Sequence, residues 1–259
     1  IDKKKSLSTF SFGMLARWDP QKDYNNLLSS IAYFKSLDEF KEISKKIKVN
    51  FVLAGHRINE DNSKLRKIIN DLKINDLVKL VGDYNEEDID DFYKSIDAHV
   101  LSSRSEGFPN VIAESMRAGV PNISTKVGDA EKIINDTGWI VEPRNKIKLA
   151  NAFIEALEMY KNNESEWEKL KIKSNKRINL EYNISKMVDS FNQLWNSSNK
   201  NKGFKIFHII SGLGSGGAQT ILARLVKNEK KFSHTIISFI DFGDYEKFFK
   251  KEGIKLIKL

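Results

Sequence analysis

Short apolar runs alternate with amphipathic helical patterns from the beginning of the chain. TFSFGML (9–15) and KVNFVLAG (48–55) are rich in aromatic and β-branched residues, which favours strands, and a helical pattern follows each of them. The same alternation continues through LVKLVG, DAHVLSS, PNIST and GWIVE. Strands separated by helices predict an α/β fold with a doubly wound parallel sheet, because helical crossovers join parallel strands and cover both faces of the sheet.

The pattern restarts after a polar stretch, NSSNKNKG (196–203). FKIFHII, a glycine-rich turn and a helical run follow, and HTIISFIDF and IKLIKL predict further strands. Small polar residues between two such patterns are typical of a linker. We therefore predict a first domain over residues 1–198, a linker over 199–203 and a partial second βαβ unit over 204–259, which is too short for a complete doubly wound domain.

Composition and charge exclude some function classes. The chain has no cysteine, which excludes disulfides, thiolate zinc sites and cysteine nucleophiles. Its net charge of +8 comes from lysines that interleave with acids along helical patterns such as DEFKEISKKIK, as on a solvated helix face. No recognition motif accompanies this charge, so no nucleic-acid partner is expected. With no apolar run of roughly 20 residues, we expect a cytoplasmic protein, with peripheral contact to anionic membrane lipids as an addition.

Two cations follow the first predicted strand. Arg17 and Lys22 lie in the short loop ARWDPQKD. Ligands of open parallel sheets bind at the carboxyl ends of the strands, so the two side chains are placed where they could clamp a diphosphate. Taken alone, the pair is more typical of solvated surface cations.

The loop after DAHVLSS holds the most informative pattern, SRSEGFPNVIAESMRAGVP. Glu106 closes the loop, a turn over 107–109 follows, and a helix is predicted from about Asn110. Free backbone N–H groups at such a helix start bind anions such as phosphate. Glu114, farther along the same helix, can accept hydrogen bonds from both hydroxyls of a ribose. Considered alone, Glu106 is more typical of a carboxylate in a turn. Glu114 alone is more typical of an acid that the helix dipole favours near a helix N-terminus.

Together these residues resemble the carboxyl-terminal half of glycosyltransferase family 4, whose members have the two-domain GT-B fold. The matching features are R-x-x-x-x-K at Arg17 and Lys22, Gly55 and Gly82 at the ends of the second and third strands, and E-G-F-P-x-x-x-x-E from Glu106 to Glu114. The resemblance continues through GWIVEP and covers nearly all of the first 198 residues. It implies that this part of the chain is a Rossmann-like GT-B domain.

The resemblance also implies a reaction. A sugar would move, with retention at the anomeric carbon, from a nucleotide diphosphate donor such as a UDP- or GDP-sugar to a saccharide or lipid-linked acceptor. Arg17 and Lys22 would stabilise the leaving diphosphate, and Glu106 would contact the donor sugar. The implied donor-binding residues are Gly82 beside the base, Glu114 at the ribose, and Gly107, Phe108, Asn110 and Val111 near the phosphates. No metal or other cofactor is implied.

The glycine-rich segment HIISGLGSGGAQTIL suggests alternative functions for the chain. Its loop contains Gly212, Gly214, Gly216 and Gly217. The G-x-G-x-x-G spacing is that of a dinucleotide-binding turn, and Asp241 could hold a ribose, so an NAD-type oxidoreductase is one alternative. The segment also resembles the start of the amino-terminal half of a family 4 glycosyltransferase, which places the two halves here in reverse order. A non-catalytic nucleotide-sugar-binding module is a further alternative.

Two weaker patterns carry no site prediction. Asp88 and Asp90 form D-x-D within a helical pattern, where residues two apart point in different directions, so joint metal binding is not expected. The 4 histidines show no i, i+4 pair, so no metal site is predicted. His56, at the end of the second strand, is a weaker candidate for contact with the donor.

Overall fold

The computed structural model describes residues 8–84, 88–198, 205–214, 216–240 and 242–258. The chain divides into two compact units, Ile1–Asn179 and Leu180–Leu259. This division falls before the predicted linker at 199–203, which lies outside the described residues. In the described part of the chain, no helix is both long and apolar enough to cross a membrane.

The first unit is built on a parallel sheet. Its strands are β1 (Ser8–Leu15), β2 (Ile47–Ala54), β3 (Val78–Gly82), β4 (Ala98–Leu101), β5 (Asn122–Thr125) and β6 (Gly138–Val141). They are ordered β3-β2-β1-β4-β5-β6, and every pair is parallel. The strand order reverses direction between β1 and β4, which confirms the predicted doubly wound sheet and creates a crevice at their carboxyl ends.

Helices cover both faces of this sheet. They are α1 (Tyr24–Ser36), α2 (Asp38–Ser44), α3 (Ser63–Asp71), α4 (Ile89–Lys94), α5 (Asn110–Arg117), α6 (Ala130–Ile134), α7 (Lys146–Asn162) and α8 (Glu164–Glu181). On one face, the buried ring of Phe12 lies 4.9 Å from that of Phe51 and 5.0 Å from that of Phe153. Gly13 points to the other face, where a Cβ would lie 2.6 Å from Ile96. Close packing on both faces fixes the carboxyl end of β1.

The second unit is a smaller βαβ arrangement. Its elements are α9 (Ile184–Ser198), β7 (Lys205–Ile210), α10 (Gly217–Asn228), β8 (Ser233–Ser238), α11 (Glu246–Lys251) and β9 (Lys255–Lys258). The strands are parallel in the order β7-β8-β9. Leu222 and Val226 of α10 pack with Ile236 and Phe249 in its core. A second, smaller βαβ unit in addition to the doubly wound sheet therefore agrees with the predicted fold class.

Candidate functional site

The loops that the sequence singled out meet at the crevice between β1 and β4. β4 is hydrogen-bonded to β1, with Phe12 opposite Ala98 and Gly13 opposite His99. The segment 16–23 continues from β1 and the segment 102–109 continues from β4, so both begin at the carboxyl edge of the sheet. Residues far apart in the chain are thereby placed side by side at the position where open α/β sheets bind ligands.

Lys22 and Glu106 form an ion pair across this crevice. Lys22 Nζ lies 2.6 Å from Glu106 Oε1, and the two side chains are only 17% and 11% exposed. Ser103 Oγ donates to the same carboxylate oxygen at 2.7 Å. Partial burial weakens the competition from water, so the pair is held more firmly than a surface ion pair. The structure therefore brings together two of the predicted site residues, and Ser103 is a partner that sequence reasoning missed.

Arg17 lies nearby but does not join that pair. Its side chain is 61% exposed, and Nε lies 3.1 Å from Asp19 Oδ2. Asp19 also accepts the backbone N–H of Gln21 at 2.8 Å and so caps the 3₁₀ turn Pro20–Lys22. The Gln21 N–H and then the Arg17 guanidinium lower the pKa of Asp19, because both stabilise its charged form. Asp19 therefore shapes the loop that carries both cations, a role that only its position before Pro20 hinted at.

The predicted helix start is present next to Glu106. α5 begins at Asn110, and Pro109 precedes it with extended backbone. No side chain of the described residues caps this end, so the backbone N–H groups of Asn110 and Val111 are directed out of the helix without a side-chain acceptor. Phe108 is 38% exposed beside them. An uncapped helix start beside a lysine favours the binding of an anion at this point.

A glycine that the sequence did not flag shapes the loop before α5. Gly128 has φ +51°, and a Cβ there would overlap the carbonyl oxygen of Gly107 and lie 2.5 Å from that of Glu106. Asp129 N–H donates to the Gly107 carbonyl at 2.9 Å. By contrast, a Cβ on Gly107 would meet nothing within 4 Å. The turn after β5 therefore supports the Glu106–Gly107 backbone, and no pattern in the sequence marked that contact.

Glu114 lies on the second turn of α5 and is half-buried. Tyr93 Oη donates to Glu114 Oε2 at 3.1 Å and approaches the carbonyl of Val111 at 3.3 Å. Burial, followed by the nearby Glu114 charge, raises the pKa of Tyr93, so its hydroxyl stays protonated and remains a donor. Tyr93 thus orients the predicted ribose-binding carboxylate. In the sequence it was one more apolar position of a helix, with no signal of this contact.

Gly82 lies at the same edge of the sheet but two strands away from β1. It has φ +92°, its carbonyl accepts the N–H of Gly55 at 2.7 Å, and its N–H donates to Ile58 at 2.9 Å. Gly55 has φ +128°, where a Cβ would overlap the carbonyl of Ala16. Nearby, His56 Nδ1 lies 3.4 Å from Asp83 Oδ1, and both side chains are largely exposed. The loops after β1, β2 and β3 therefore form one continuous rim.

The glycine loop lies in the second unit, between β7 and α10. Gly216 precedes α10, and no side chain among the described residues caps that helix. Gln219 Nε2 donates to the Gly212 carbonyl at 2.9 Å. Gly243, with φ +54°, would place a Cβ 2.9 Å from the Cα of Gly214. Neighbouring residues of the second unit therefore hold the loop in place, and Asp241, named above for the dinucleotide alternative, lies outside the described residues.

The histidines are less scattered than their spacing in the sequence suggests. His208 Nε2 lies 2.9 Å from His234 Nδ1, and His234 Nε2 lies 2.8 Å from Glu229 Oε2. Across the described ranges, however, no group of three or more His, Asp or Glu side chains could hold a metal. Asp90 is exposed and lies 3.0 Å from Arg117, as expected of a solvated helix face.

Comparison with known proteins places this arrangement in a family. Residues 2–174 match the model of the family described as "Glycosyl transferases group 1". An uncharacterised glycosyltransferase of Methanocaldococcus jannaschii is 31% identical over 141 residues, which cover 52% of this chain and 39% of that protein. The chain therefore spans less than half the length of this relative.

Solved structures agree on the fold. A glycosyltransferase from Rickettsia africae has a TM-score of 0.61 at 20% identity, covering 75% of this chain and 49% of that one. Anabaena HepE, solved in complex with UDP and glucose, has a TM-score of 0.58 at 19% identity, covering 73% of this chain and 49% of that one. These likenesses confirm the Rossmann-like, GT-B type of fold. With a family match over most of its length, the chain belongs to the group 1 glycosyl transferases.

Proposed function

We propose that the chain carries the donor-binding half of a retaining family 4 glycosyltransferase. The reaction would move a sugar from a UDP- or GDP-sugar to a saccharide or lipid-linked acceptor. The observation that carries this proposal is the Lys22–Glu106 ion pair beside the uncapped start of α5, at the point where the strand order reverses. This combination offers positive charge, backbone N–H donors and a carboxylate within one crevice.

Lys22 and the start of α5 suit the diphosphate. An ammonium group has three N–H donors, so Lys22 can keep its contact with Glu106 and still bind a phosphate oxygen. Arg17, exposed on the same loop, adds a second cation that can approach the leaving group. As the bond to the sugar breaks, negative charge grows on the diphosphate, and these preorganised cations stabilise it more than they stabilise the bound donor.

The two glutamates suit the donor sugar and the ribose. Glu106 is fixed by Lys22 and Ser103, so its carboxylate is held at one position beside the diphosphate site. Glu114 lies one helical turn inside α5, with Tyr93 on one carboxylate oxygen. A carboxylate has about four acceptor positions, so it can accept from several donors at once, as binding both hydroxyls of a ribose requires. Gly82 and its rim would face the base.

The proposal has further parts. No metal is needed if Arg17, Lys22 and the helix start neutralise the diphosphate. The second unit would be the beginning of an amino-terminal-type glycosyltransferase half, and the protein would act in the cytoplasm, with contact to a membrane surface where its acceptor is lipid-linked. Binding of UDP and glucose by Anabaena HepE supports a nucleotide-sugar donor for this chain as well. The family match does not favour the NAD-dependent alternative.

Thermal unfolding of the chain with UDP, GDP, ADP and NAD tests this function. A ligand that binds only the folded state, at about 100 times its dissociation constant, adds roughly 2.7 kcal/mol to the free energy of unfolding. We expect stabilisation by UDP or GDP that is lost in Glu114→Ala. Glu155→Gln, an exposed acid on α7, is the control and should retain it. Stabilisation by NAD alone, untouched by Glu114→Ala, would overturn the proposal.

A further inference from the structure

The residue after Lys22 is a buried acid in an unusual backbone conformation. Asp23 has φ +49°, in the left-handed region that residues other than glycine rarely adopt. Its side chain is 2% exposed. It accepts the N–H of Asn26 at 3.3 Å and so caps α1. A carboxylate this deeply buried requires a cationic partner.

That partner is Arg104, which comes from the loop that carries Glu106. Arg104 Nε lies 2.8 Å from Asp23 Oδ2, and a terminal guanidinium nitrogen, Nη2, donates to Asp23 Oδ1 at 2.9 Å. The contact is therefore bidentate, the geometry in which an arginine restrains a carboxylate most strongly. Asp23 directly follows Lys22, and Arg104 lies between Ser103 and Glu106. The Asp23–Arg104 ion pair thus joins the backbone beside Lys22 to the backbone beside Glu106.

Further hydrogen bonds to backbone carbonyls accompany this ion pair. Arg104 N–H donates to the Gln21 carbonyl at 2.8 Å, and Gln21 Nε2 donates to the Ser105 carbonyl at 2.5 Å. Ser102 Oγ donates to the Lys22 carbonyl at 2.8 Å. All of these bonds connect the loop after β1 with the loop after β4. The Asp23–Arg104 pair adds a second connection with charge on both sides, beside the Lys22–Glu106 pair.

We propose that Asp23 and Arg104 are positioning residues, which hold the Lys22 loop against the Glu106 loop so that ammonium and carboxylate meet a bound nucleotide in one fixed geometry. This inference rests on the proposed function for its ligand, a nucleoside diphosphate. Lysine has a long, flexible side chain, so the placement of its Nζ depends on where the backbone is held. Displacement by about 1 Å at such a site is enough to lose much of the binding or rate.

The test is a double-mutant cycle between Arg104 and Lys22 in the 259-residue chain, with UDP and GDP as probes. Arg104→Gln should weaken the binding of the preferred nucleotide about tenfold when Lys22 is present, and less than twofold in a Lys22→Ala background, because Arg104 acts through Lys22. Arg104→Lys, which keeps the charge but loses the second donor, should fall between wild type and Arg104→Gln. Arg66→Gln on α3 is the control and should leave affinity unchanged. Additive losses in the cycle, or no loss for Arg104→Gln, would overturn the inference.

Hydrogen exchange separates this inference from the proposed function, because it needs no ligand. In Arg104→Gln, amides of residues 21–24 and 102–107 should exchange at least about tenfold faster, while those of β2 and α7 keep their rates. Arg104→Lys should partly restore protection in both loops. If neither nucleotide binds the wild-type chain, the donor site is wrong, yet the two loops should still loosen together. If only residues 102–107 loosen, or neither loop does, Arg104 does not position Lys22.

Discussion

Two strand–loop–helix junctions of this molecule look alike in sequence and differ in structure. The junction from β4 to α5 and the junction from β7 to α10 each contain glycine, and each leads into a helix that no described side chain caps. At the first, charged side chains from the loop after β1 reach across to the loop, with Lys22 on Glu106 and Asp23 on Arg104. At the second, the contacts described above join neutral groups, such as Gln219 and the Gly212 carbonyl.

The difference follows from the order of the strands. In the first unit the order reverses between β1 and β4, so two loops diverge from neighbouring strands and leave a crevice that side chains from both can line. In the described part of the second unit the order β7-β8-β9 follows the chain, so no such reversal occurs there. An uncapped helix start attracts anions in either place. Among the described residues, charged side chains lie against the first of these two loops, as Lys22 and Asp23 do, whereas the contacts described for the second join neutral groups.

The largest expected effect concerns Gly128, which packs behind the first loop, in comparison with Gly214, which lies within the second loop. Gly128→Ala should lower the free energy of unfolding of the first unit by about 4 kcal/mol, because its positive φ and the overlap with the Gly107 carbonyl both add strain. Gly214→Ala, in the second loop, should change stability by less than about 0.5 kcal/mol, since its Cβ meets nothing within 4 Å. Urea unfolding measures both. Equal losses would mean that the positive φ of Gly128 and its close contact with Gly107 do not cause the strain.

Gly128 also shows where prediction from the sequence stops. The periodicity of short apolar runs was sufficient for the parallel α/β fold, because it depends on neighbours along the chain. Local motifs singled out Lys22, Glu106 and Glu114 as candidates, and their roles in binding stay predictions. Gly128, Tyr93 and the Asp23–Arg104 ion pair act through contacts between segments far apart in sequence. The spacing of residues along the sequence does not specify such contacts, because they depend on how the fold brings distant segments together.

The next largest effect should come from the titration of one histidine in each unit, His99 and His208. Burial lowers the pKa of His99 to about 4, against an ordinary value near 6.5, so the unfolded chain takes up a proton before the folded one. The contribution of His99 to the free energy of unfolding of the first unit is therefore greatest above pH 6.5. It falls by up to about 3 kcal/mol as the pH drops towards 4. His99→Gln should flatten that slope.

His208 should do the same for the second unit. Burial, followed by the neighbouring His234, lowers the pKa of His208 to about 4. His208 is only half-buried, so the loss between pH 6.5 and 4 should be smaller than for His99. Pulsed hydrogen exchange across a urea series reports each unit separately. If His99→Gln flattened the slope of the second unit as well, the two units could not be treated as separate titrating bodies.

Replacement of Lys22 should show whether the nucleotide binds at the β4–α5 junction or at the β7–α10 junction. Lys22→Met removes a charged hydrogen-bond donor worth about 2.7 kcal/mol, so the affinity for UDP or GDP should fall about 100-fold. Lys227→Met, at the end of α10, makes the same change in net charge on an exposed residue of the second unit. Isothermal titration calorimetry of the two variants should show a loss for Lys22→Met alone. Similar losses would mean that the total charge, and not the crevice, attracts the nucleotide.

The smallest expected effect comes from the tyrosine that contacts each helix, Tyr93 at α5 and Tyr245 at α10. Tyr93→Phe keeps the buried ring and removes the hydroxyl that donates to Glu114, which should weaken UDP or GDP binding about fivefold, or about 1 kcal/mol. Tyr245→Phe, whose hydroxyl lies 2.7 Å from Thr220 Oγ1 at the start of α10, is the matched change in the second unit and should have no effect on affinity. With a 2′,3′-dideoxynucleotide the Tyr93→Phe loss should vanish, because Glu114 then has no ribose hydroxyl to hold. A loss that persists with the dideoxynucleotide would mean that Tyr93 supports the fold of α5 and does not orient Glu114 towards a ribose.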